Sequence, residues 1–263
     1  MTTLVLLNTS ARLETGTIRI LDDNGGPLVI NQVGGTADST FRYAIPAGGV
    51  FRFQTDGFPA AVKVGWAELT PDAGSPTPLG AGILSLNSGN VLVAECGVPA
   101  AAATNHARVY IDLSDGHNTG VAIANAAGTD ASITMKAFQS DGVTGIGTSQ
   151  DPLRLAGNGH SAKFASEFIA GLPAGFAGVL DMTSATPFAA LTLRSLLNER
   201  HDFLMTTFLV ADANQAVPSP VVFPQIADGG GFITQVILVS SGSGSSTTLS
   251  FFDDDGNPLV VGK

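Results

Sequence analysis

Cysteine, lysine and charge are all scarce in this chain of 263 residues. Cys96 is the single cysteine, which excludes an intrachain disulfide, and its apolar neighbours predict a small buried strand residue rather than a reactive thiol. Charged residues make up 13% of the chain, lysine occurs only at positions 63, 136, 163 and 263, and the net charge is −10. Because no basic stripe exists, nucleic acid and anionic membranes are not expected as partners.

Long apolar runs are missing as well. No run approaches the ~18 residues of a membrane-spanning helix, so the sequence predicts no membrane insertion. The apolar run at 4–7 is too short for a secretory signal peptide and has no basic residues before it.

What the chain does contain is short apolar runs separated by glycine-rich turns, and its 32 glycines and 44% hydrophobic residues suit packed sheets. In 41–45 the aromatic residues and Ile45 alternate with Arg42 and small residues, which is the period of a strand with one buried face. The turns at 23–26 and 45–49 place glycine where a positive φ is needed. The predicted fold class is therefore all-β.

The two ends of the chain resemble each other. Residues 3–30 and 234–261 share an apolar run, a polar loop, a second apolar run, an aspartate turn and a Pro-Leu-Val sequence. Asp22 matches Asp253 and Pro27 matches Pro258, both 231 positions apart, with one residue slipped in the loop before them. This period indicates a unit of a tandem array.

The strand pattern divides the chain into two tandem β-sandwich domains and a partial repeat. We expect a first sandwich at 1–100, a second at 105–213, and a strand-rich segment at 218–263 that repeats the N-terminal one, with strands at 221–226, 232–240 and 249–252. The two sandwiches also resemble each other, because 120–125 and 132–138 correspond to 4–7 and 17–21. Such a C-terminal segment has too little core to be stable alone.

The three copies differ in what precedes them. Residues 106–113 form a leading strand before the second copy and 221–228 before the third, whereas the first copy starts directly at Leu4. A sandwich that lacks an edge strand has unpaired backbone groups and accepts a strand from another chain.

Several stretches resemble a known family. They are LTLRSLLNERHDFL at 191–204 with TT at 206–207, FPQIADGGGFITQ at 223–235, VGWA at 64–67 and ECGVP at 95–99. They are similar to the repeat signature of large secreted or surface proteins of environmental bacteria, which resemble strings of immunoglobulin-like modules. The resemblance implies immunoglobulin-like sandwiches and an extracellular or cell-surface bacterial location, in a family with no assigned enzymatic activity. The family usually has glycine at the position of His201 and seldom has cysteine at that of Cys96.

Two aspartate turns suggest calcium, because hard cations prefer several carboxylate and carbonyl oxygens within a short span. Asp253, Asp254 and Asp255 are the better candidates, since three adjacent carboxylates repel one another unless neutralised. Neither this turn nor the one at 22–25 has the alternate spacing of a calcium loop, and a hairpin turn explains both. No other cofactor is expected.

Residues 198–202 are the only cluster that holds acid, base and imidazole together. An enzyme would use Glu199, His201 and Asp202, yet adjacent residues of a turn point in different directions, so an Arg–carboxylate pair that locks a bend is the simpler interpretation. Trp66 is expected to fill the first core, with a sugar-stacking role as the alternative. We expect no enzymatic activity.

The leading functional hypothesis is an extracellular structural protein that assembles head-to-tail into a surface fibre or filament by strand complementation. The expected donor residues are Val221, Phe223, Ile226, Phe232, Val236 and Leu238, and the expected acceptor residues are Leu4 and Leu6. The alternative is a surface adhesin or carbohydrate-binding repeat, excised from a longer array, with a surface glycan as partner.

Overall fold

The structure, a computed structural model, describes residues 1–58, 61–89, 91–216, 219–240 and 246–259. The fold is essentially all-β, as the sequence predicts, and consists of several antiparallel sheets. In the described part of the chain, helix is limited to one turn, α1 (Ala165–Phe168).

The first 99 residues form two sheets around one core. Their strands are β1 (Thr2–Leu7), β2 (Glu14–Leu21), β3 (Ile30–Asn31), β4 (Ala37–Asp38), β5 (Thr40–Ile45), β6 (Val50–Gln54), β7 (Trp66–Pro71), β8 (Leu79–Ser88) and β9 (Val91–Pro99). One sheet has the order β6-β1-β8-β9 and the other β5-β2-β7, while β3 and β4 pair separately. Leu6 and Phe53 from the first sheet share a core with Ile18, Tyr43 and Ile45 from the second. We call this part the first region.

The alternation predicted for 41–45 is present in β5. Phe41, Tyr43 and Ile45 are buried, and the residues between them are exposed. Side chains of a strand alternate between its two faces, so this pattern directs one face into the core. The turns at 23–26 and 45–49 have Gly25 at φ 81° and Gly48 at φ 67°, the positive values for which glycine is expected.

Residues 104–212 form the second region, with its own core. Its strands are β10 (Thr104–Asp112), β11 (His117–Ala124), β12 (Ala131–Gln139), β13 (Gly145–Thr148), β14 (Leu153–Leu155), β15 (His160–Phe164), β16 (Ala177–Leu197), β17 (Phe203–Phe208) and β18 (Val210–Asp212). The main sheet has the order β13-β12-β16-β10-β18, with β14 also on β12. The other strands, β15, β11 and β17, pair around the second half of β16.

The apolar patterns at 178–183 and 188–196 predict two separate strands, but the structure joins them in the single strand β16. Its first half pairs with β10 and β12, and its second half pairs with β11 and β17. The stretch from Ala185 to Pro187 between the halves has no partner in these ladders. Proline is tolerated there because its missing amide hydrogen is not needed where the chain passes from one sheet to the other.

The two regions repeat the same strand plan. In the first region, β1 pairs with β6 and β8, and in the second region β11 likewise pairs with β15 and β16. In the same way, β2 pairs with β5 and β7, and β12 pairs with β14 and β16. Asn8 and Asn125, 117 positions apart, make matching bonds: Asn8 Nδ2 donates to the carbonyls of residues 12, 45 and 46, and Asn125 Nδ2 to those of 129, 155 and 156. The two regions therefore share this strand plan and this asparagine contact.

The C-terminal segment departs from the prediction. Among its described residues, 219–240 and 246–259, no strand forms where the sequence predicts strands at 221–226, 232–240 and 249–252. Two isolated bridges occur, Gly229 with Phe232 and Phe252 with Pro258. A strand exists only when its backbone groups pair with a neighbour, and in the described structure no second strand is paired with this segment.

Candidate assembly surfaces

The C-terminal segment exposes large apolar side chains. In the described residues of 219–259 no side chain is fully buried. The exposed fraction is 75% for Val222, 48% for Phe223, 68% for Phe232, 91% for Ile233 and 52% for Leu238. Exposed apolar residues that follow one another along a segment outside any sheet are typical of a surface that binds another protein.

Its local geometry nevertheless repeats that of the second region. The Thr119 hydroxyl accepts a bond from Asp112 N at 2.9 Å and donates to Asp112 O at 3.2 Å, which ties the end of β10 to the start of β11. The Thr234 hydroxyl does the same with Ala227, accepting from its N at 3.0 Å and donating to its O at 2.7 Å. Both pairs are 115 positions apart in the two copies, so 219–227 corresponds to β10.

The turn at 253–257 repeats the turn at 22–26. Asp22 N donates to Gly26 O at 2.8 Å, and Asp253 N donates to Asn257 O at 2.9 Å. In each turn the leading carboxylate accepts two backbone amides, from Asn24 and Gly26 in the first and from residues 255 and 257 in the second. Within the resemblance between the two ends of the chain, the aspartate turn is thus shared in structure as well as in sequence.

The backbone bonds of this turn engage the carboxylate of Asp253, one of the three expected calcium ligands. Backbone donation from Asn257 comes first among the causes that lower the pKa of Asp253, and the Asp255 amide adds to it. Asp254 and Asp255 are exposed beside it. Nowhere in the described chain do three or more His, Cys, Asp or Glu side chains form a group that could hold a metal ion. The Asp253 carboxylate stabilises a hairpin turn.

Strand β10 lies inside the second region. It pairs with β16 on one side and with β18 on the other. Ala107, Val109 and Ile111 each have an exposed fraction of 0%, and they belong to the second core. Opposite them on β16, Leu180 and Met182 are also 0% exposed. The leading strand therefore completes both the sheet and the core.

The first region has no described strand in the corresponding place. Strand β7 corresponds to the first half of β16 but pairs only with β2 in the described structure. Leu69 and Ala67 pack against the first core and are only half-buried. The outer edge of β7 is the position where β10 would lie.

The expected acceptor residues Leu4 and Leu6 do not lie on that edge. Both belong to β1, which is already paired with β6 on one side and β8 on the other. Leu6 is 1% exposed in the core of its own chain, and Leu4 is half-buried. Since backbone pairing needs a free edge, the acceptor of a strand is β7 rather than β1.

The expected donor residues lie in the exposed segment with different degrees of burial. Val221, Phe223, Phe232 and Leu238 are exposed, whereas Ile226 and Val236 are half-buried. Ile226 and Val236 line a small depression with Ile233 and Phe251 from the same segment. The segment is therefore loosely folded on itself and leaves most of its apolar surface uncovered.

The acid–base cluster at 198–202 forms an exposed turn between β16 and β17. Asn198 Oδ1 accepts bonds from the amides of Arg200 and Asp202, and the Arg200 and Asp202 side chains form an ion pair at 3.1 Å. The Arg200 side chain is 82% exposed. His201 has a φ of 63°, a backbone conformation that favours glycine. The arrangement caps a bend between β16 and β17.

Trp66 connects the two regions instead of filling the first core. Its indole Nε1 donates to Asn158 O at 2.9 Å, and the side chain is half-buried. The Asp23 carboxylate and His160 Nδ1 lie 2.8 Å apart at the same junction, where His160 N also donates to Asp23 O. Trp66 is thus a contact between regions.

Cys96 is buried in β9, as expected for a structural residue. Burial raises the pKa of its thiol, and the neighbouring Glu95 carboxylate raises it further. A thiol with a raised pKa is mostly protonated at neutral pH and is a poor nucleophile.

No protein-family model, curated protein or solved structure matches the chain. Among the described residues, no helix has the length and apolar character needed to cross a membrane.

Proposed function

We propose that the chain is a structural subunit that assembles head-to-tail into an extracellular fibre by strand complementation. The observation that carries the proposal is a mismatch between two surfaces. The segment at 219–240 has exposed apolar side chains and belongs to no sheet in the described structure, and the outer edge of β7 in the first region has no partner among the described strands. Each surface supplies what the other lacks.

Pairing the two surfaces would contribute in two ways. Backbone hydrogen bonds along β7 would satisfy groups of both strands, and burial of apolar side chains such as Val222 contributes about 25 cal/mol per Å² of surface removed from water. Because donor and acceptor are different surfaces, each added copy leaves one of each free. A contact of this type propagates into a filament unless its rotation closes a ring.

The resemblance to secreted bacterial repeat proteins supports the extracellular location and the immunoglobulin-like description of both regions. The low charge and the sheets that surround two separate cores agree with it. No catalytic constellation is part of the proposal, because its surfaces act by pairing and burial.

Truncation tests the proposal. Removal of residues 218–263 should abolish polymers while both regions stay folded, since their cores use residues from 6–53 and 107–190. Electron microscopy and light scattering of the full and truncated chains would measure assembly, and circular dichroism would check the fold. The proposal is wrong if the truncated chain polymerises like the full chain, or if the full chain stays monomeric at high concentration.

A further inference from the structure

The second region contains a template for the contact between copies, in the form of β10 seated on β16. Three opposite pairs define its register: Ala107 with Met182, Val109 with Leu180, and Ile111 with Gly178. The pairing continues beyond the strand, where Leu113 N donates to Phe176 O at 2.7 Å. The same register can be transferred to the first region if both strands have known counterparts.

The counterpart of β16 is fixed by bonds at both ends of β2. Before β2, the side-chain bonds of Asn8 match those of Asn125, 117 positions later. After β2, Gly25 N donates to Asp22 O, and Gly142 N donates to Gln139 O at the same separation of 117 positions. Ile18 therefore corresponds to Met135. Their partners across the ladder are Leu69 and Met182, so these two residues occupy equivalent positions.

The counterpart of β10 is fixed by the Thr234 hydroxyl, which bonds to the backbone of Ala227 as the Thr119 hydroxyl bonds to that of Asp112. Because Ala227 and Thr234 correspond to Asp112 and Thr119, the positions of Ala107, Ile111 and Leu113 are taken by Val222, Ile226 and Asp228. Resting on the proposed function, we propose that residues 219–228 of a second copy pair antiparallel with the outer edge of β7 and of the residues 63–65 that precede it. Val222 then lies opposite Leu69, Ile226 opposite Gly65, and Asp228 opposite Lys63.

The side chains of this register are complementary. Ile226 meets Gly65 as Ile111 meets Gly178, so an isoleucine faces a residue without a side chain in both places. Val222 covers Leu69, which is half-buried in one copy, whereas its counterpart Met182 is 0% exposed under β10. The donor strand would complete the first core as β10 completes the second.

Charge is complementary as well. Asp228 is the sole charged residue of the sequence between 219 and 240, and Lys63 is the sole lysine before position 136. Both residues are exposed. The Lys63 ammonium group, just before the start of β7, donates to Val29 O at 2.6 Å. Opposite charges on directly facing residues stabilise a strand pair, and like charges destabilise it.

The strand that flanks β10 on its far side has no counterpart among the described strands of the first region. In the second region, β18 flanks β10 and follows β17 in the chain. In the first region, residues 100–102 follow β9 in the equivalent position, and they are three exposed alanines. Pro224 takes the position of Val109 and supplies one amide hydrogen fewer than Val109 does. The register therefore depends on the residues on either side of Pro224.

Disulfide trapping tests the register. In a Cys96→Ala background, Leu69→Cys with Val222→Cys should give a covalent ladder on non-reducing gels, because facing Cβ atoms of an antiparallel pair approach disulfide distance. The matched control is Leu69→Cys with Val221→Cys, whose second cysteine points to the other face, and we expect at least about tenfold less cross-linking from it. Filaments that cross-link equally in both variants would overturn the register but not the fibre.

Charge exchange provides a second test that keeps all core residues. Lys63→Glu alone and Asp228→Lys alone should each raise the critical concentration for assembly about threefold to tenfold, and the double variant should restore it. Lys163→Glu in the second region is the control for net charge and should leave assembly unchanged. Absence of restoration contradicts the pairing of Lys63 with Asp228, whereas absence of filaments from the parent chain contradicts both this register and the proposed function.

Discussion

The first and second regions have the same strand plan but differ in one strand. The second region holds β10 between β16 and β18, and the side chains under it are fully buried. In the first region the corresponding edge of β7 has no partner among the described strands, and Leu69 beneath it is half-buried. One leading strand is therefore the difference between a closed sandwich and an edge that can bind a further strand.

The largest expected effect comes from the residues that the leading strand buries. Ile111→Ala should lower the free energy of unfolding of the second region by about 2–5 kcal/mol, because it leaves a cavity in a closed core. Leu69→Ala should cost the monomer about 1 kcal/mol, since Leu69 is already half in water. Hydrogen exchange measured by mass spectrometry would report each region separately. Equal losses in both would show that the first core is closed by other means.

A smaller effect tests what the two regions share. Asn8→Ala and Asn125→Ala each remove a fully buried amide that donates to three backbone carbonyls, so each should cost its own region about 1–3 kcal/mol. Comparable losses support the structural equivalence. A loss of stability in only one region, measured by the same exchange experiment, would contradict the structural equivalence.

The smallest effect concerns pH at the end of β10. Burial would raise the pKa of the Asp112 carboxyl, but hydrogen bonds from Ser114 and Arg194 outweigh it and hold the pKa below its usual 3.8. A lowered pKa in the folded state means that the carboxylate stabilises the second region above the unfolded value near 3.9, and that this stability is lost as pH falls through the folded value. Asp112→Asn should flatten the acid dependence of this region. The free energy of unfolding between pH 5 and 2.5 measures it, and an unchanged slope would contradict the prediction.

Local patterns predicted much of the fold. The alternation in β5, the glycines at positive φ and the repeat between the ends are properties of neighbouring residues, and the structure has all three. The sequence missed the continuity of β16, because Pro187 resembles a strand end when its neighbours in space are unknown. It also predicted C-terminal strands that are absent from the described residues 219–240 and 246–259.

The position of the acceptor edge could not be predicted from local sequence patterns either. Leu4 and Leu6 were expected at the free edge because β1 begins the chain, yet β1 lies in the middle of its sheet. The order of strands in a sheet differs from their order in sequence, so Leu69 and Lys63 on and beside β7 gave no local signal. Aligning the three copies could have located them only if the partner of β10 had been known.

The sequence by itself determined the all-β class, the turns and the repetition, since each depends on side-chain size, period and backbone freedom over a few residues. Only the tertiary structure decided which edge is unpaired and which apolar residues remain exposed. Sheet pairing joins residues far apart in the chain, and burial depends on everything packed around a side chain. The resemblance between the two ends is therefore visible in the sequence, whereas the surfaces through which they would meet appear only in the folded chain.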